Sequence, residues 1–420
     1  MFYYHPYKAL RFPIQCVWLK LNGSWPLAET SGKSKNNTSF GSSFFATAYI
    51  IWAWYVIVSV GITISYQTAF LIKNLSDIII TTENCCTTFM GVLNFVRLIH
   101  LRLNQRKFRK LIEHFSYEIW IPDNNSKQHI AAECRKRMVT FSIMTGLLAC
   151  LIIMYCVMPL IEIFFLLGWN SEDKPFPYKM VFPYNPNKNG ISYVLTYMFT
   201  SYAGICVVTT LFAEDTILGF FITHTCGQFR LLHERIDKLF TKVNNSVELS
   251  EDVQRMRLKS VVEKHNNIIR FAHRLEDFFN PILLANLTIS SILICMVGFQ
   301  IITGKNMFIG DYVKFIIYIS SALSQLYVLC ENGDALIKHS TLTAQILYGC
   351  QWEESGQVSK SKYIQNHLWF MILCSQQPVR ITAFKFSTLS LQSFTAILST
   401  SISYFTLLRS VYFDDEKQQK

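Results

Sequence analysis

Apolar residues gather along this chain into long runs, and charged residues gather between them. A bilayer-crossing helix needs roughly 20 apolar residues, and seven runs approach or pass that length. They predict helical spans over 44–66, 78–101, 138–169, 191–221, 281–302, 312–329 and 381–413. The second is the weakest, with Thr81, Thr82, Glu83 and Asn84 near its start, and misjudging it would make the count even, six or eight. Pro159 is expected to interrupt the third. The Pro- and aromatic-rich loop over 174–186 is expected to be compact, because proline restricts the chain and aromatics pack. Several spans run on past membrane length with amphipathic spacing. Leu231, Leu232, Ile236, Leu239 and Phe240 form one face beyond the fourth, and 256–279 reads as an amphipathic helix entering the fifth. The sixth continues through Asp334 and Lys338 to Trp352. A short amphipathic segment over 363–374 precedes Pro378, which is expected to stop or bend the chain.

The last run carries hydroxyls throughout. Thr388, Gln392, Thr395, Ser399, Ser403, Thr406 and Ser410 are spaced by threes and fours, one stripe along a helix that begins at Ile381. Phe394, Ile397, Leu398, Phe405 and Leu408 lie mostly off that stripe. Such a stripe is not shown to lipid. Two burials satisfy it: close packing on another helix, where Ser and Thr are enriched, or a hydrated path.

Composition agrees with a membrane protein. Of 420 residues, 51% are hydrophobic and only 16% charged, where a soluble domain carries about a quarter. The fold class is all-α and polytopic. The net charge of +11 would suggest nucleic acid in a soluble protein. Here the basic residues cluster in particular loops (Arg102, Arg106, Lys107, Arg109, Lys110, Arg135, Lys136, Arg137), so topology accounts for them and no nucleic-acid partner is expected. The basic loops follow the second and fourth spans, which puts the N-terminus in the cytoplasm and, with seven spans, the C-terminus outside. Phe2, Tyr3, Tyr4, Tyr7, Phe12, Trp18 and Leu21 interleaved with Lys8, Arg11 and Lys20 suit a segment lying on a membrane surface. A flexible Gly/Ser/Asn-rich linker over 31–43 follows, and no cleavable signal peptide is expected. Asn74-Leu-Ser falls outside and is a glycosylation candidate, whereas Asn124 and Asn244 fall inside and are expected to stay bare.

Nothing points to catalysis. HExxH, P-loop and GxSxG motifs are absent, and most of the 12 cysteines lie in apolar runs without a CxxC pair, so they read as free thiols. No enzyme activity, metal or cofactor is expected. A G-protein-coupled receptor would have an external N-terminus, an acidic-Arg-aromatic triplet ending the third span and NPxxY ending the seventh, none of which is predicted or present. A transporter would show paired halves with matching broken helices.

The C-terminal motifs resemble the insect odorant receptors. Gln377-Pro-Val-Arg-Ile-Thr-Ala and Phe394-Thr-Ala-Ile-Leu-Ser-Thr-Ser-Ile-Ser-Tyr-Phe-Thr-Leu-Leu-Arg-Ser410 look like that family's last helix. Looser matches are Lys174-Pro-Phe-Pro, Cys226-Gly-Gln-Phe-Arg-Leu-Leu-His-Glu-Arg, Cys330-Glu-Asn-Gly-Asp and Ile346-Leu-Tyr-Gly-Cys-Gln-Trp. The related gustatory receptors end in Thr-Tyr, five apolar residues and Gln-Phe; Ser403-Tyr404 departs from that pattern, which leaves a gustatory receptor channel as the nearest alternative. The shared co-receptor of the odorant branch has a longer insertion between its fourth and fifth spans, so this chain resembles a ligand-tuning subunit.

The resemblance implies a heterotetramer with the co-receptor in the plasma membrane of an olfactory neuron's dendrite, forming a non-selective cation channel opened by a small volatile odorant. It implies a cytoplasmic segment over 1–43, spans one to four over 44–221 and a cytoplasmic helical anchor hairpin over 222–280. Spans five and six with their extension follow over 281–352, an anchor segment over 353–380, the pore helix over 381–413 and an external tail over 414–420. The pore wall would be Gln392, Thr395, Ser399, Ser403 and Thr406, and the gate Leu407, Ser410 and Val411, with Leu407 and Val411 closing the pore by dewetting. Arg409, turned about 100° from Ser410, would reach the external headgroups. The ligand pocket would lie among the outer halves of spans two, three, four and six. By depth its candidates are Thr82, Cys86, Met154, Met158, Glu162, Tyr197, Ser201, Tyr202, Tyr318 and Leu323, with ordinary helix packing as the competing role for each. Glu162 has a second reading, at the interface and bonded to the Pro-rich loop.

Overall fold

The computed structural model describes residues 12–27, 40–121, 127–167, 174–240, 251–303, 309–350, 352 and 361–418. The expectations for residues 2–11, 31–39, Asn124 and Asn244 lie outside the described residues. The chain forms α1 (Cys16–Leu21), α2 (Phe40–Lys73), α3 (Ile78–Leu103), α4 (Gln105–His114), α5 (Gln128–Glu162) and α6 (Gly190–Asp237). Then come α7 (Glu251–Thr303), α8 (Ile309–Gly349), α9 (Lys362–Ser375), a hairpin of β1 (Thr382–Ala383) and β2 (Ser387–Thr388), and α10 (Leu391–Gln418). Seven of these, α2, α3, α5, α6, α7, α8 and α10, correspond to the seven expected spans. Five are long and apolar enough to cross a bilayer on their own composition: α2, α5, α6, α7 and α8. α3 and α10 have the length, 26 and 28 residues, but carry the polar residues that made the second span weak and striped the last.

Local chemistry sets several boundaries. The Asp77 carboxylate accepts the Ile79 and Ile80 amides at 3.0 and 3.1 Å, which caps α3. Helix α5 runs through Pro159 to Glu162 and ends in a π turn over Ile163–Leu167, so proline does not interrupt it where expected. Helix α7 likewise carries Pro281 inside a single 53-residue rod. The amphipathic extensions expected beyond the spans are continuous with them in α6, α7 and α8.

The last helix is shorter at its start than its hydroxyl pattern predicts. Residues 382–388 form the antiparallel hairpin, pairing Thr382 with Thr388 and Ala383 with Ser387. Its turn residues Phe384 and Lys385 have φ of 49° and 62°, a left-handed conformation that favours Gly or Asn. Two α7 side chains hold it: Asn280 Oδ1 accepts the Phe384 amide, and Glu276 accepts the Thr382 hydroxyl. Ser390 then accepts the Ser393 amide at 3.3 Å and starts α10 at Leu391. Thr388 therefore leaves the stripe, and the helix continues to Gln418 past the expected boundary at 413. Alternating hydroxyl and apolar residues fit either a helix or a strand over so short a stretch, and it is contacts from α7 that decide.

The described part of the N-terminal segment packs one face on α6 and leaves Val17, Trp18 and Leu21 exposed. Leu19 and Trp25 are buried, Phe12 packs 5.8 Å from Phe220, and Trp25 meets Phe108 edge-on at 6.0 Å. The Asn22 amide donates to the Thr209 and Thr210 hydroxyls of α6 at 3.0 and 2.9 Å. These contacts join a phenylalanine-rich core: Phe115 lies 4.6 Å from Phe221, and Phe108 stacks on Phe278 at 5.1 Å. Helix α6 is central, with nearly every side chain from Val208 to Phe229 buried.

About two turns before the end of α3, Arg97 is fully buried. Its Nη1 lies 3.0 Å from Asp215 Oδ1 and 3.5 Å from Glu214 Oε2, and donates to the Leu211 carbonyl at 3.3 Å. Gln325 of α8 donates to the other Asp215 oxygen at 2.5 Å. Removing one partner of a buried ion pair leaves the rest uncompensated at a cost of about 3–5 kcal/mol. Arg97→Met is therefore expected to abolish surface expression or lower stability by about that amount in thermal unfolding, and an unchanged melting temperature would refute the cluster's role.

Several histidines sit in the extensions beyond the spans, His233, His265 and His339 among them. Burial pushes the rings of His233, His265 and His339 down to about 4, and Arg230, together with neighbouring histidine or Arg137 charge, adds to the effect at His233 and His339. The unfolded rings take protons near their ordinary value of 6.5. Below that value the unfolded chain binds more protons than the folded one, so the stability these neutral rings contribute is complete above pH 6.5 and is lost as pH falls toward 4. The melting temperature of detergent-solubilised protein is expected to fall across that window, and a flat profile would show that the rings are not buried neutral.

Candidate functional site

Two features stand out, a cavity in the bundle and the free face of α10. The cavity, of about 60 Å³, lies between α2, α3, α5, α6 and α8. Its walls are largely apolar, from Val60, Ile64, Met90, Leu148, Leu151, Ile152, Val207 and Val208, and its polar groups come from Thr63, Gln67, Thr87, Tyr155, Tyr178 and Tyr318. A concave apolar site with a few fixed polar groups is the usual form of a small-molecule pocket. Tyr178 is delivered by the Pro-rich loop, which is compact as expected, and stacks on Tyr155 at 5.4 Å. Gly204 makes that approach feasible: a Cβ there would fall 2.0 Å from the Tyr178 hydroxyl. Above the cavity Glu83 pairs with Lys179 at 2.6 Å and with Lys314 at 3.9 Å, and Lys314 lies 5.3 Å from the Tyr155 ring centre.

Of the ten residues proposed by depth, Tyr318 alone lines this cavity. Thr82 and Cys86 lie one to two turns toward the outer end of α3, buried against α7 and α8; the Tyr318 hydroxyl donates to the Cys86 carbonyl at 2.9 Å. Met154 and Met158 are half-buried on α5, Ser201 is half-buried on α6, and Leu323 is half-buried against the core. Tyr197 donates to the Cys156 carbonyl at 2.5 Å. Tyr202 faces α2, 6.2 Å from Trp52. Glu162 is exposed at an open groove walled by Lys174, Phe176, Met180 and Tyr184 of the loop, outside the cavity. The depth argument left out the first span, which supplies Val60, Thr63, Ile64 and Gln67, and the loop tyrosine. The signals were present as glycines, Gly91 and Gly204, where small residues let a ring or a ligand approach.

On α10 the burial is one-sided. Gln392, Thr395, Ser399, Ser403, Thr406 and Ser410 are exposed on the chain, and so are Leu407 and Val411, at 60% and 47%. Phe394, Ile397, Leu398, Phe405 and Leu408 turn inward, and α10 packs on α7 and α8. The serine that bonds a neighbouring helix is Ser401, outside the stripe, which donates to the Ser291 carbonyl at 3.0 Å. The stripe is thus not a packing seam within this chain. Its hydroxyls donate to their own helix, Ser403 to the Ser399 carbonyl at 3.0 Å and Ser410 to the Leu407 carbonyl at 2.8 Å, leaving oxygen lone pairs facing outward.

Comparison with known proteins gives these features a context. The family model described as 7tm Odorant receptor matches residues 78–402. The chain is 78% identical to Odorant receptor 13a of Drosophila melanogaster over the whole of both chains, and 30% identical to Odorant receptor 22c of the same species over 56% of this chain and 57% of that one. In fold it is similar to the insect olfactory receptor OR5 from Machilis hrabei in complex with eugenol, with a TM-score of 0.75 and 15% identity over 94% of this chain and 97% of that one. The sequence matches, spanning the membrane helices and the last-helix motif alike, establish that the chain is a multi-pass membrane protein belonging to the insect odorant receptor family.

Proposed function

We propose that this odorant receptor is the ligand-tuning subunit of a non-selective cation channel, assembled as a heterotetramer with the shared co-receptor in the plasma membrane of an olfactory neuron's dendrite. The N-terminus is cytoplasmic, the C-terminus external, and the extensions of α6, α7 and α8 with α9 form the cytoplasmic anchor. A volatile odorant occupies the cavity beneath Tyr178 and Tyr318, and four last helices meet around an axis. The observation that carries this reading is the one-sided burial of α10. A membrane helix that turns a row of hydroxyls away from its own chain needs water or another subunit there, and a ring of such helices supplies both. Where the stripe gives way to Leu407 and Val411, i, i+4 neighbours on one face, the path is apolar and closes by dewetting, with Ser410 beside it to hydrate the open state. The odorant opens the gate only by the difference in its affinity for the open and closed states.

Current recorded from cells expressing the chain with the co-receptor tests this. Leu407→Ala and Val411→Ala are each expected to raise resting current several-fold; resting and odorant-evoked currents that both match the unmodified receptor would sink the gate assignment. In the cavity, Gly204→Ala forces Tyr178 to move and is expected to shift the odorant concentration for half-maximal current roughly tenfold. An unchanged concentration dependence would place the ligand elsewhere. Asn74, the outer sequon, donates from its amide to the Phe70 carbonyl at 2.8 Å and is half-buried. Glycosylation there is read by loss of a mobility shift in Asn74→Gln.

A further inference from the structure

Helix α10 does not line the cavity, so a ligand can reach the gate only through the helices between them. Those helices are tied by side chains at few points. The cavity residue Tyr318 holds α8 to α3 through the Cys86 carbonyl. One turn outward on α3 lies Thr82, and here α7 is fastened by a single amide: Gln300 Nε2 donates to the Thr82 hydroxyl at 2.5 Å and to the Ile79 carbonyl at 2.6 Å. Gln300 is fully buried, and its Oε1 meets no donor among the described residues. A buried amide with half its bonding capacity unmet is costly where it stands, which makes this contact one that a small shift of α3 against α7 can re-form differently. The adjacent Phe299, also fully buried, packs edge-on against Tyr412 at 5.7 Å, and Tyr412 is the neighbour of Val411. Further down, the Ser401–Ser291 bond pins α10 to the same α7 rod.

We infer that Gln300 is a positioning residue for gating: it transmits displacement of α3 by a bound ligand to α7, and α7 through Phe299 moves the gate end of α10 about the Ser401 pin. This rests on the cavity and gate reading above. Gln300 touches neither the cavity nor the gate, so its loss is read in efficacy and not in ligand affinity.

The test uses the full-length chain with the co-receptor. A fixed panel of volatile alcohols, esters, ketones and phenols, eugenol included, is applied to the unmodified receptor, and its strongest activator is used for every variant. Gln300→Leu is expected to lower maximal odorant-evoked current, normalised to surface-labelled receptor, at least about fivefold, the low end of ordinary coupling strengths. The half-maximal concentration should move much less. Thr82→Val, which removes one of the two acceptors, is expected to give a smaller loss, and the double variant no more loss than Gln300→Leu alone. An unchanged normalised maximum in Gln300→Leu, or additive losses in the double variant, would overturn the inference. Should Gln300→Leu fail to reach the surface, Thr82→Val decides, and a normal maximum there is equally fatal. No current from the unmodified receptor with any probe would remove the channel reading itself, and this inference with it.

Discussion

A guanidinium cannot shed its charge inside a protein, and Arg97 places one in the middle of an apolar bundle. Everything near it is arranged around that fact. Two adjacent acidic residues of α6 converge on a single position of α3, and an amide of α8 bonds one of those acids. A slip of one residue in any of these helices would strand a charge, so the cluster fixes register among three helices that apolar packing alone would let slide. It also divides the bundle. About two to three turns toward the N-terminus of α3 lie Gly91, Met90 and Thr87, which wall the cavity; toward its C-terminus lie Leu101 and the packed phenylalanines Phe108 and Phe278.

The two halves differ in how they are packed. The inner half is filled with interlocking rings and receives the N-terminal segment as a further layer, so it behaves as a close-packed solid. The other half encloses the cavity and is crossed by polar contacts, Tyr318 to Cys86, Gln300 to Thr82 and Ile79, and Glu83 to Lys179 among them. The long rods α6, α7 and α8 join the halves without a break, so displacement at one end is not lost in a hinge.

The helices were legible because each span is a long apolar run, and their extensions because Leu231, Leu232, Ile236 and Leu239 keep the helical period past the membrane. The hairpin at 382–388 was not, since its two positive-φ residues are Phe384 and Lys385 and carry none of the usual turn chemistry; the partners that hold it, Glu276 and Asn280, lie about 100 residues earlier. The one-sidedness of α10 could be read from its spacing, but its meaning could not: hydroxyls at threes and fours look alike whether they face a helix or water, and burial of Ser401 against exposure of Ser399 and Ser403 is what separates the cases. Depth along a helix singled out both Tyr318, which lines the cavity, and Tyr202, which faces α2 instead, because depth carries no information on rotation about the helix axis. The charge cluster was equally hidden. Arg97, Glu214 and Gln325 are scattered in sequence, and only the packing of three helices shows that they share one site.

Magnitudes limit how such a channel can be built. An odorant that buries about 200 Å² of apolar surface gains about 5 kcal/mol, and only the part that differs between open and closed states moves the gate. Driving one equilibrium from 1:99 to 99:1 takes about 5.5 kcal/mol, so a single small ligand has little to spare. A gate locked by buried ion pairs would need more than that to open. The gate proposed above, a ring of Leu407 and Val411 side chains, would need far less, because modest widening would rewet it. The strong interactions of this protein lie away from that proposed gate, in the Arg97 cluster and the phenylalanine core, where they would keep the small available free energy from being lost in deforming the rest of the bundle.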